Sequence, residues 1–137
     1  MDAKGRVFFP AAFRKRLGAG EQQFVLRRDV HQPCLTVFPL NVWESEVDVL
    51  RERLNRWDAR EAMIFRSYVG ESEQIALDAS GRILLSKRWI EALGIDREVT
   101  FVGLDDRIEI WPGRVESFVS TKEYSDAVQQ VLGGAMP

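Results

Sequence analysis

Apolar residues occur along the chain in three patterns: short uninterrupted runs, alternating stretches, and stripes at helical spacing. Residues 7–9 and 83–85 are uninterrupted apolar runs, which predict two short strands buried on both faces. Residues 72–77 alternate in polarity, which predicts a strand with one buried face. Runs rich in β-branched and aromatic residues predict two β-hairpins, at 24–26 with 35–38 and at 99–102 with 108–111.

Two helices are predicted between these hairpins. The first would carry one apolar stripe, because its apolar residues are spaced four and three apart: Trp43, Val47, Leu50, Leu54 and Trp57. Asn41 and Glu44 have the spacing of a capping box at its start, and Asp58 and Glu61 repeat that spacing before a second helix that ends at Gly70. We expect an antiparallel helical hairpin with facing apolar stripes and a solvated face of arginine–glutamate pairs.

The chain also repeats itself. Residues 2–18 recur as residues 78–94, at an offset of 76, and six of the seventeen positions are identical. Each copy predicts a turn, a short strand and a short helix closed by a glycine, Gly18 or Gly94. In each turn an aspartate can accept backbone N–H groups while a glycine takes positive φ. The turn-forming residues are Asp2, Gly5, Asp78 and Gly81.

The two copies differ at their beginnings. Residues 72–77 lead into Asp78, whereas only Met1 precedes Asp2. If the copies are equivalent, the first lacks its leading strand, and we expect the strand beside that place to be an unpaired edge.

Charge is distributed unevenly along the 137-residue chain, whose formal net charge is −2. Residues 1–28 carry seven basic and two acidic side chains, whereas residues 29–77 carry five basic and nine acidic ones. Attraction to phosphate depends on the field within about 8–10 Å rather than on the charge of the whole chain. DNA therefore remains a candidate partner of the basic end. We expect a single chain to have little non-specific affinity for DNA.

The residues needed for several classes of chemistry are missing from this sequence. A zinc site usually needs three or four ligands, and His31 with Cys34 supplies two. The single cysteine excludes an intrachain disulfide and fits a reducing cytoplasm. There is no glycine-rich phosphate loop, no paired catalytic carboxylates, and no apolar run long enough to span a bilayer. We expect no metal, cofactor, small-molecule substrate, enzymatic activity or membrane association.

The aromatic residues could form stacking platforms for single-stranded nucleic acid, but most of them occupy positions that fit a packed core. Those predicted to be in the core are Phe8, Phe9, Phe13, Trp43, Phe65, Trp89 and Trp111.

The duplicated turns contain the basic residues that point most directly to a function. Arg6 and Arg82 each follow a glycine at the start of a strand, where a guanidinium can point outward toward phosphate or toward guanine O6 and N7. The alternative is that each arginine pairs with the aspartate four residues earlier and only closes the turn. Duplication favours recognition, because paired loops match repeated features of a duplex.

At these residues the chain resembles the MraZ family of regulators of the bacterial division and cell-wall gene cluster. The resemblance spans roughly Met1 to Trp111 and rests on Asp2 to Arg6 with Pro10 and Phe13-Arg14, Pro33 to Leu35, Phe38 to Leu40 with Trp43, Asp78 to Arg82, 99–103, and 108–111. It implies two tandem AbrB-like swapped-hairpin β-repeats forming an intrachain pseudo-dimer. It also implies ring-like homo-oligomers that bind direct repeats upstream of their own operon and usually repress it.

The family's DNA-contacting motif, Asp-x-x-x-Arg, matches Asp2 to Arg6 and Asp78 to Arg82. The absent leading strand departs from the family pattern. The second copy also has Ser80 in place of Lys4 and Ser86 in place of Pro10, so we expect the first loop to attract phosphate more strongly.

We therefore expect an α+β protein with a first repeat at 1–40, a helical hairpin at 41–71, a second repeat at 72–112 and a C-terminal helix or flexible tail at 113–137. We expect a cytoplasmic, nucleoid-associated repressor that binds double-stranded DNA as a homo-oligomer. The predicted DNA contacts are Lys4, Arg6, Ser80 and Arg82, with flanking phosphate contacts from Arg14, Lys15 and Lys87. The competing hypothesis is a protein-interaction module in which the arginine loops only staple turns.

Overall fold

Seven strands and five helices form in residues 1–16 and 23–133, the part of the chain that this computed structural model describes. The strands are β1 (Arg6–Phe8), β2 (Gln23–Arg28), β3 (Leu35–Pro39), β4 (Glu73–Ala76), β5 (Arg82–Leu84), β6 (Val99–Leu104) and β7 (Arg107–Pro112). The helices are α1 (Ala11–Arg16), α2 (Leu40–Arg53), α3 (Ala59–Gly70), α4 (Lys87–Leu93) and α5 (Thr121–Leu132). The expected mixture of helices and strands is confirmed, and none of these helices is long and apolar enough to cross a membrane.

The strands form a five-stranded antiparallel sheet in the order β4-β2-β3-β7-β6 and a two-stranded ribbon of β1 with β5. Both predicted hairpins are present, as β2 with β3 and β6 with β7. Every other pairing joins one copy of the repeat to the other: β1 with β5, β2 with β4, and β3 with β7. The two copies therefore share both sheets and build one structure.

The sheet ends differently on its two sides. β4 forms one edge, where it pairs with β2, and β6 forms the other edge in the described part of the chain, where it pairs with β7. Met1 lies near this edge, where its side chain packs against the core and its ammonium group donates to the carbonyl of Arg97 at 2.9 Å.

The main core lies between the ribbon and one face of the five-stranded sheet. Phe9 is at its centre and is 1% exposed, with its ring centroid 5.3 Å from that of Phe24 and 5.8 Å from that of Phe101. Trp89 of α4 and Phe13 of α1 pack at the same core. This arrangement packs the inner face of the ribbon against the sheet.

A second core covers the opposite face of the sheet. Trp43 of α2 stacks on Tyr68 of α3 at 5.4 Å and packs against Phe38. The guanidinium of the buried Arg27 lies 4.1 Å from the Tyr68 ring centroid. The helical hairpin thus packs on the far side of the sheet from the ribbon.

The prediction that the two short apolar strands are buried on both faces is wrong. Val7 and Phe9 are buried but Phe8 is 68% exposed, and Leu84 is likewise 57% exposed. The ribbon packs only one face against the core, so the middle residue of each apolar run points to the other side. Phe8 therefore does not belong to the core. Phe13, Phe65 and Trp111 are half-buried.

The expected start of the first helix of the helical hairpin, α2, and the expected extent of its apolar stripe are also wrong. Pro39, not Asn41, precedes the first residue of α2, and no side chain caps that end. The helix ends at Arg53 because Leu54 turns to extended backbone, so Trp57 lies outside the stripe and is 84% exposed.

The boundaries of two helices match their sequence signals. Asp58 caps α3 by accepting the N–H groups of Arg60 and Glu61 at 3.0 Å, and that helix ends at Gly70. Gly94 closes α4 in the left-handed conformation. The predicted stop of α1 at Gly18 lies outside the described residues.

We predict that replacing Phe9 by Ala destabilises the fold by about 3–5 kcal/mol, because it removes a buried ring from the centre of the core. Replacing its neighbour Phe8 by Ala should change the free energy of unfolding by less than about 0.5 kcal/mol, since that ring is exposed. Urea unfolding monitored by circular dichroism measures both, and equal losses would contradict the one-sided packing of β1.

Candidate nucleic-acid interface

The two glycine turns have the same hydrogen-bonded geometry. Asp2 Oδ1 accepts the backbone N–H groups of Lys4 at 3.0 Å and Arg6 at 2.9 Å. Asp78 Oδ1 accepts those of Ser80 and Arg82, both at 2.9 Å. These donors, first among them the N–H of the arginine in each turn, hold the pKa of both carboxyl groups below its usual value. Each carboxylate therefore stays ionised and fixes its turn.

Glycine is required at the apex of both turns. The φ angles of Gly5 and Gly81 are 86° and 81°, a region that other residues rarely adopt. A Cβ atom on Gly5 would also lie 2.8 Å from the carbonyl oxygen of Leu85. The first turn therefore packs backbone against backbone from the second copy.

The same aspartates fix the arginine side chains. Arg6 Nε lies 2.8 Å from Asp2 Oδ2, and Arg82 Nε lies 3.0 Å from Asp78 Oδ2. Arg82 Nη1 also approaches Asp2 Oδ2 at 3.6 Å, so one carboxylate contacts both guanidinium groups. The two arginines therefore lie together on one side of the molecule.

The pairing of each arginine with its own aspartate, which sequence reasoning left open, is thus present. It uses the Nε atom of each guanidinium. Within residues 1–16 and 23–133, the Nη atoms make no hydrogen bond, and Arg82 Nη1 makes the longer ion pair with Asp2. Because an arginine has five N–H donors, the pairing orients each side chain and leaves its outer donors available. The arginine side chains are 33% and 24% exposed.

The outer face of the ribbon carries these arginines and two apolar side chains. Arg6 lies opposite Leu84, and Phe8 lies opposite Arg82, in the antiparallel register. Arginine and apolar residues therefore alternate around a four-residue patch, with Val7 and Ile83 pointing into the core behind it.

The other predicted contacts surround this patch unevenly. Lys4 and Ser80 are exposed in their turns, and Lys87 is exposed at the first position of α4. Arg14 of α1 places its guanidinium against Gly81, in the turn of the other copy. The side chain of Lys15 lies outside the described part of the structure. Arg14 adds a cation to the second loop, so the expected excess of charge at the first loop is offset.

An open groove of about 670 Å³ runs from this patch to the edge strand β6. Its walls include Arg6, Arg82 and Phe8 on one side, and Arg97 and Arg114 on the other. The four arginines outnumber its two acidic residues, so the groove suits an anionic chain.

Two features of this site were not predicted from the sequence. The contact of Arg14 with Gly81 is tertiary and leaves no local signal. The exposure of Phe8 and Leu84 did have a signal, because residues two apart on a strand share a face. An outward Arg6 therefore implies an outward Phe8, and an outward Arg82 implies an outward Leu84.

One cluster elsewhere has potential metal ligands. Side-chain atoms of Asp29, Cys34 and Glu109 lie within 4.8 Å of one another, while His31 is exposed and not among them. Burial, together with the charges of Glu109 and Asp29, raises the pKa of the Cys34 thiol to about 12. The thiol is therefore protonated at neutral pH.

The chain is similar to known proteins over almost its whole length. The sequence model of the family described as "MraZ protein, putative antitoxin-like" matches residues 1–66 and 68–127. A relative from Phocaeicola vulgatus is 44% identical over 135 residues, covering 96% of this chain and 88% of its own. A relative from Bacteroides fragilis is 45% identical over 134 residues, covering 96% and 85%. A relative from Erwinia tasmaniensis is 33% identical over 112 residues, covering 81% and 73%. All three are named "Transcriptional regulator MraZ".

We predict that Gly5→Ala destabilises the protein more than Gly94→Ala. Both substitutions force a residue with a side chain into left-handed backbone, at a cost of about 1–2 kcal/mol. Only the methyl group added at Gly5 would meet a backbone carbonyl, which adds ~1–3 kcal/mol, whereas nothing lies within 4 Å of a Cβ on Gly94. Thermal and urea unfolding of both variants measure this difference, and equal losses would rule out close packing at the first turn.

We predict that Cys34 of the folded protein does not react with a thiol reagent such as iodoacetamide at pH 8. Its pKa of about 12 and its burial leave neither thiolate nor access. In 8 M urea the same cysteine should react readily, because its pKa returns to about 8.5. Mass spectrometry of alkylated protein follows both reactions, and rapid alkylation of folded protein would disprove the burial of this thiol.

Proposed function

The chain belongs to the MraZ family, and on that basis we propose that it is a transcriptional regulator that binds double-stranded DNA in a sequence-specific way. The observation that carries this proposal is the joint placement of Arg6 and Arg82. Each is fixed by its own aspartate, and both contact Asp2 on one side of the molecule.

We propose that the ribbon of β1 and β5 enters the major groove of the DNA. The major groove of B-DNA is about 12 Å wide and admits a two-stranded β-ribbon. Arg6 and Arg82 would present their Nη donors to guanine O6 and N7, the most frequent base-specific contact in such complexes. Because Asp2 and Asp78 already orient the guanidinium groups, little side-chain entropy would be lost on binding.

The remaining polar residues around the ribbon would position it on the DNA backbone. Lys4 and Ser80 flank the arginines in their turns, and Arg14 lies at the second turn. Lys15 and Lys87, at the two short helices, would add further phosphate contacts. Such contacts supply affinity and register rather than sequence preference.

We also propose that the protein acts as a homo-oligomer. One chain offers few cations, and each neutralised phosphate contributes a slope of only about −0.9 to the dependence of log K on log salt. Several copies held together would bind neighbouring sites with high effective concentration. The family resemblance extends this proposal to ring-like assemblies on direct repeats upstream of the division and cell-wall gene cluster. It also implies repression of that cluster by a nucleoid-associated protein in the cytoplasm.

The fold supports a related structural proposal. Strand pairings between β1 and β5, β2 and β4, and β3 and β7 join the two copies. Such pairings are expected of an AbrB-like swapped-hairpin pseudo-dimer. We propose this class, with repeats at 1–40 and 72–112, a helical hairpin at 41–71 and a C-terminal segment at 113–137.

The edge strand β6 favours a second candidate function, a protein-interaction module that adds a strand from a partner. Salt distinguishes the two functions. Binding to DNA should weaken steeply between 50 and about 200 mM salt, whereas an apolar interface should respond little.

We predict that Arg6→Ala and Arg82→Ala each lower the affinity for DNA from upstream of the protein's own gene by about 10–100-fold, because each removes one bidentate base contact. Arg51→Ala is the matched control, since Arg51 is an exposed arginine of α2 paired with Asp48. Gel-shift titration against the upstream duplex and a scrambled duplex measures the affinity.

Size-exclusion chromatography should give the same oligomer for all three variants. Unchanged DNA affinity in both turn variants would remove the arginines from the interface. Failure of the wild-type protein to prefer the upstream duplex at any salt concentration would contradict the regulatory function itself.

A further inference from the structure

The outer face of the ribbon carries two exposed apolar side chains, one from each strand. Phe8 and Leu84 are 68% and 57% exposed, although their strand neighbours on both sides lie in the core. They occupy equivalent places in the two copies, at the offset of 76 residues. The same apolar exposure therefore occurs twice on one face.

This exposure is a property of the ribbon and not of the open edge beside β6. Leu84 belongs to β5. The strand that precedes β5 along the chain, β4, pairs with β2 and covers its edge. Leu84 nevertheless remains more than half exposed. Covering the edge of β6 with another strand would not by itself account for both side chains.

The register puts each apolar side chain beside one of the two arginines. Phe8 lies directly opposite Arg82, and Leu84 directly opposite Arg6. Cβ atoms at such opposed positions are about 4.5–5.5 Å apart. The guanidinium carbon of Arg82 lies 5.9 Å from the ring centroid of Phe8. Any base edge within reach of an arginine on this face is thus close to an apolar side chain.

We propose that Phe8 and Leu84 contact thymine 5-methyl groups in the major groove and so determine part of the sequence preference. The proposal rests on the DNA-binding function proposed above. Thymine is the base whose major-groove edge carries a methyl group, and apolar side chains recognise it by contact. The arginines alone would read guanines, so the apolar pair adds information that they do not supply.

Charge argues against a second copy of this chain as the occupant of the face. Arg6 and Arg82 lie within the patch, and Lys4, Arg14 and Lys87 are exposed around it. Two such faces in a symmetric contact would place like charges together, which is unfavourable. A polyanion that also exposes methyl groups satisfies both kinds of side chain.

The test compares thymine with uracil, which differ by this methyl group. A 30-base-pair duplex is first selected from a random-sequence pool with the wild-type full-length protein. Copies are then made with uracil in place of thymine at one position at a time, and affinities are measured by fluorescence anisotropy at fixed salt.

For wild-type protein we expect an affinity loss of about fourfold at one or more thymines, the value for removing one buried methyl group. Phe8→Ala and Leu84→Ala should bind the thymine duplex more weakly, and each should lose its response to uracil at its own position. Trp57→Ala is the matched control, because Trp57 is an exposed aromatic residue outside the ribbon, and it should keep the wild-type response.

The outcomes separate this proposal from the function on which it rests. Enrichment of no sequence from the pool would contradict sequence-specific DNA binding. Selection of a duplex that uracil weakens nowhere, or weakens equally in wild-type protein and both ribbon variants, would overturn the methyl contacts alone. A change of oligomer size in the ribbon variants with an unchanged uracil response would also overturn them, and would assign the face to another copy.

Discussion

The structure depends on a carboxylate that accepts two backbone N–H groups across a glycine turn. Asp2 and Asp78 each use one oxygen to build the turn and the other to hold the arginine that follows. One side chain thus fixes both the direction in which a strand starts and the direction in which a cation points. Exposed ion pairs contribute little to stability, so the importance of these pairs lies in orientation.

The turns are held in place by the way in which the copies share strands. β1 and β5 have three residues each, and an isolated two-stranded ribbon of that length would be marginal in water. The ribbon persists because Val7, Phe9, Ile83 and Leu85 are buried against the five-stranded sheet. Gly5 packs on the backbone of the second copy, and Arg14 packs on the turn at Gly81. Each glycine turn is therefore completed by contacts from the other copy of the repeat.

Local signals predicted the parts of this architecture that local chemistry determines. The turns at Gly5 and Gly81, the cap at Asp58 and the left-handed end at Gly94 all follow from what single residues allow. Burial of Phe8 was predicted wrongly because a run of apolar residues does not reveal which face meets the core. Trp57 was placed on a helix that ends before it, since periodicity continues past the point where the backbone turns at Leu54. The position of Arg14 depends on a contact across 67 residues of sequence, which no window of local pattern contains.

The two halves of the ribbon are related but unequal. Phe8 corresponds to Leu84, Lys4 to Ser80, and Arg14 to Ile90, which lies against Gly5 as Arg14 lies against Gly81. A DNA-binding element with exact two-fold symmetry binds a palindromic site equally well in either orientation. In the proposed complex, a ribbon with dissimilar halves would have a preferred direction along the double helix, so that neighbouring copies bound to identical elements would all point the same way. The differences between the two halves would in this way give the bound protein a polarity that a symmetric ribbon lacks.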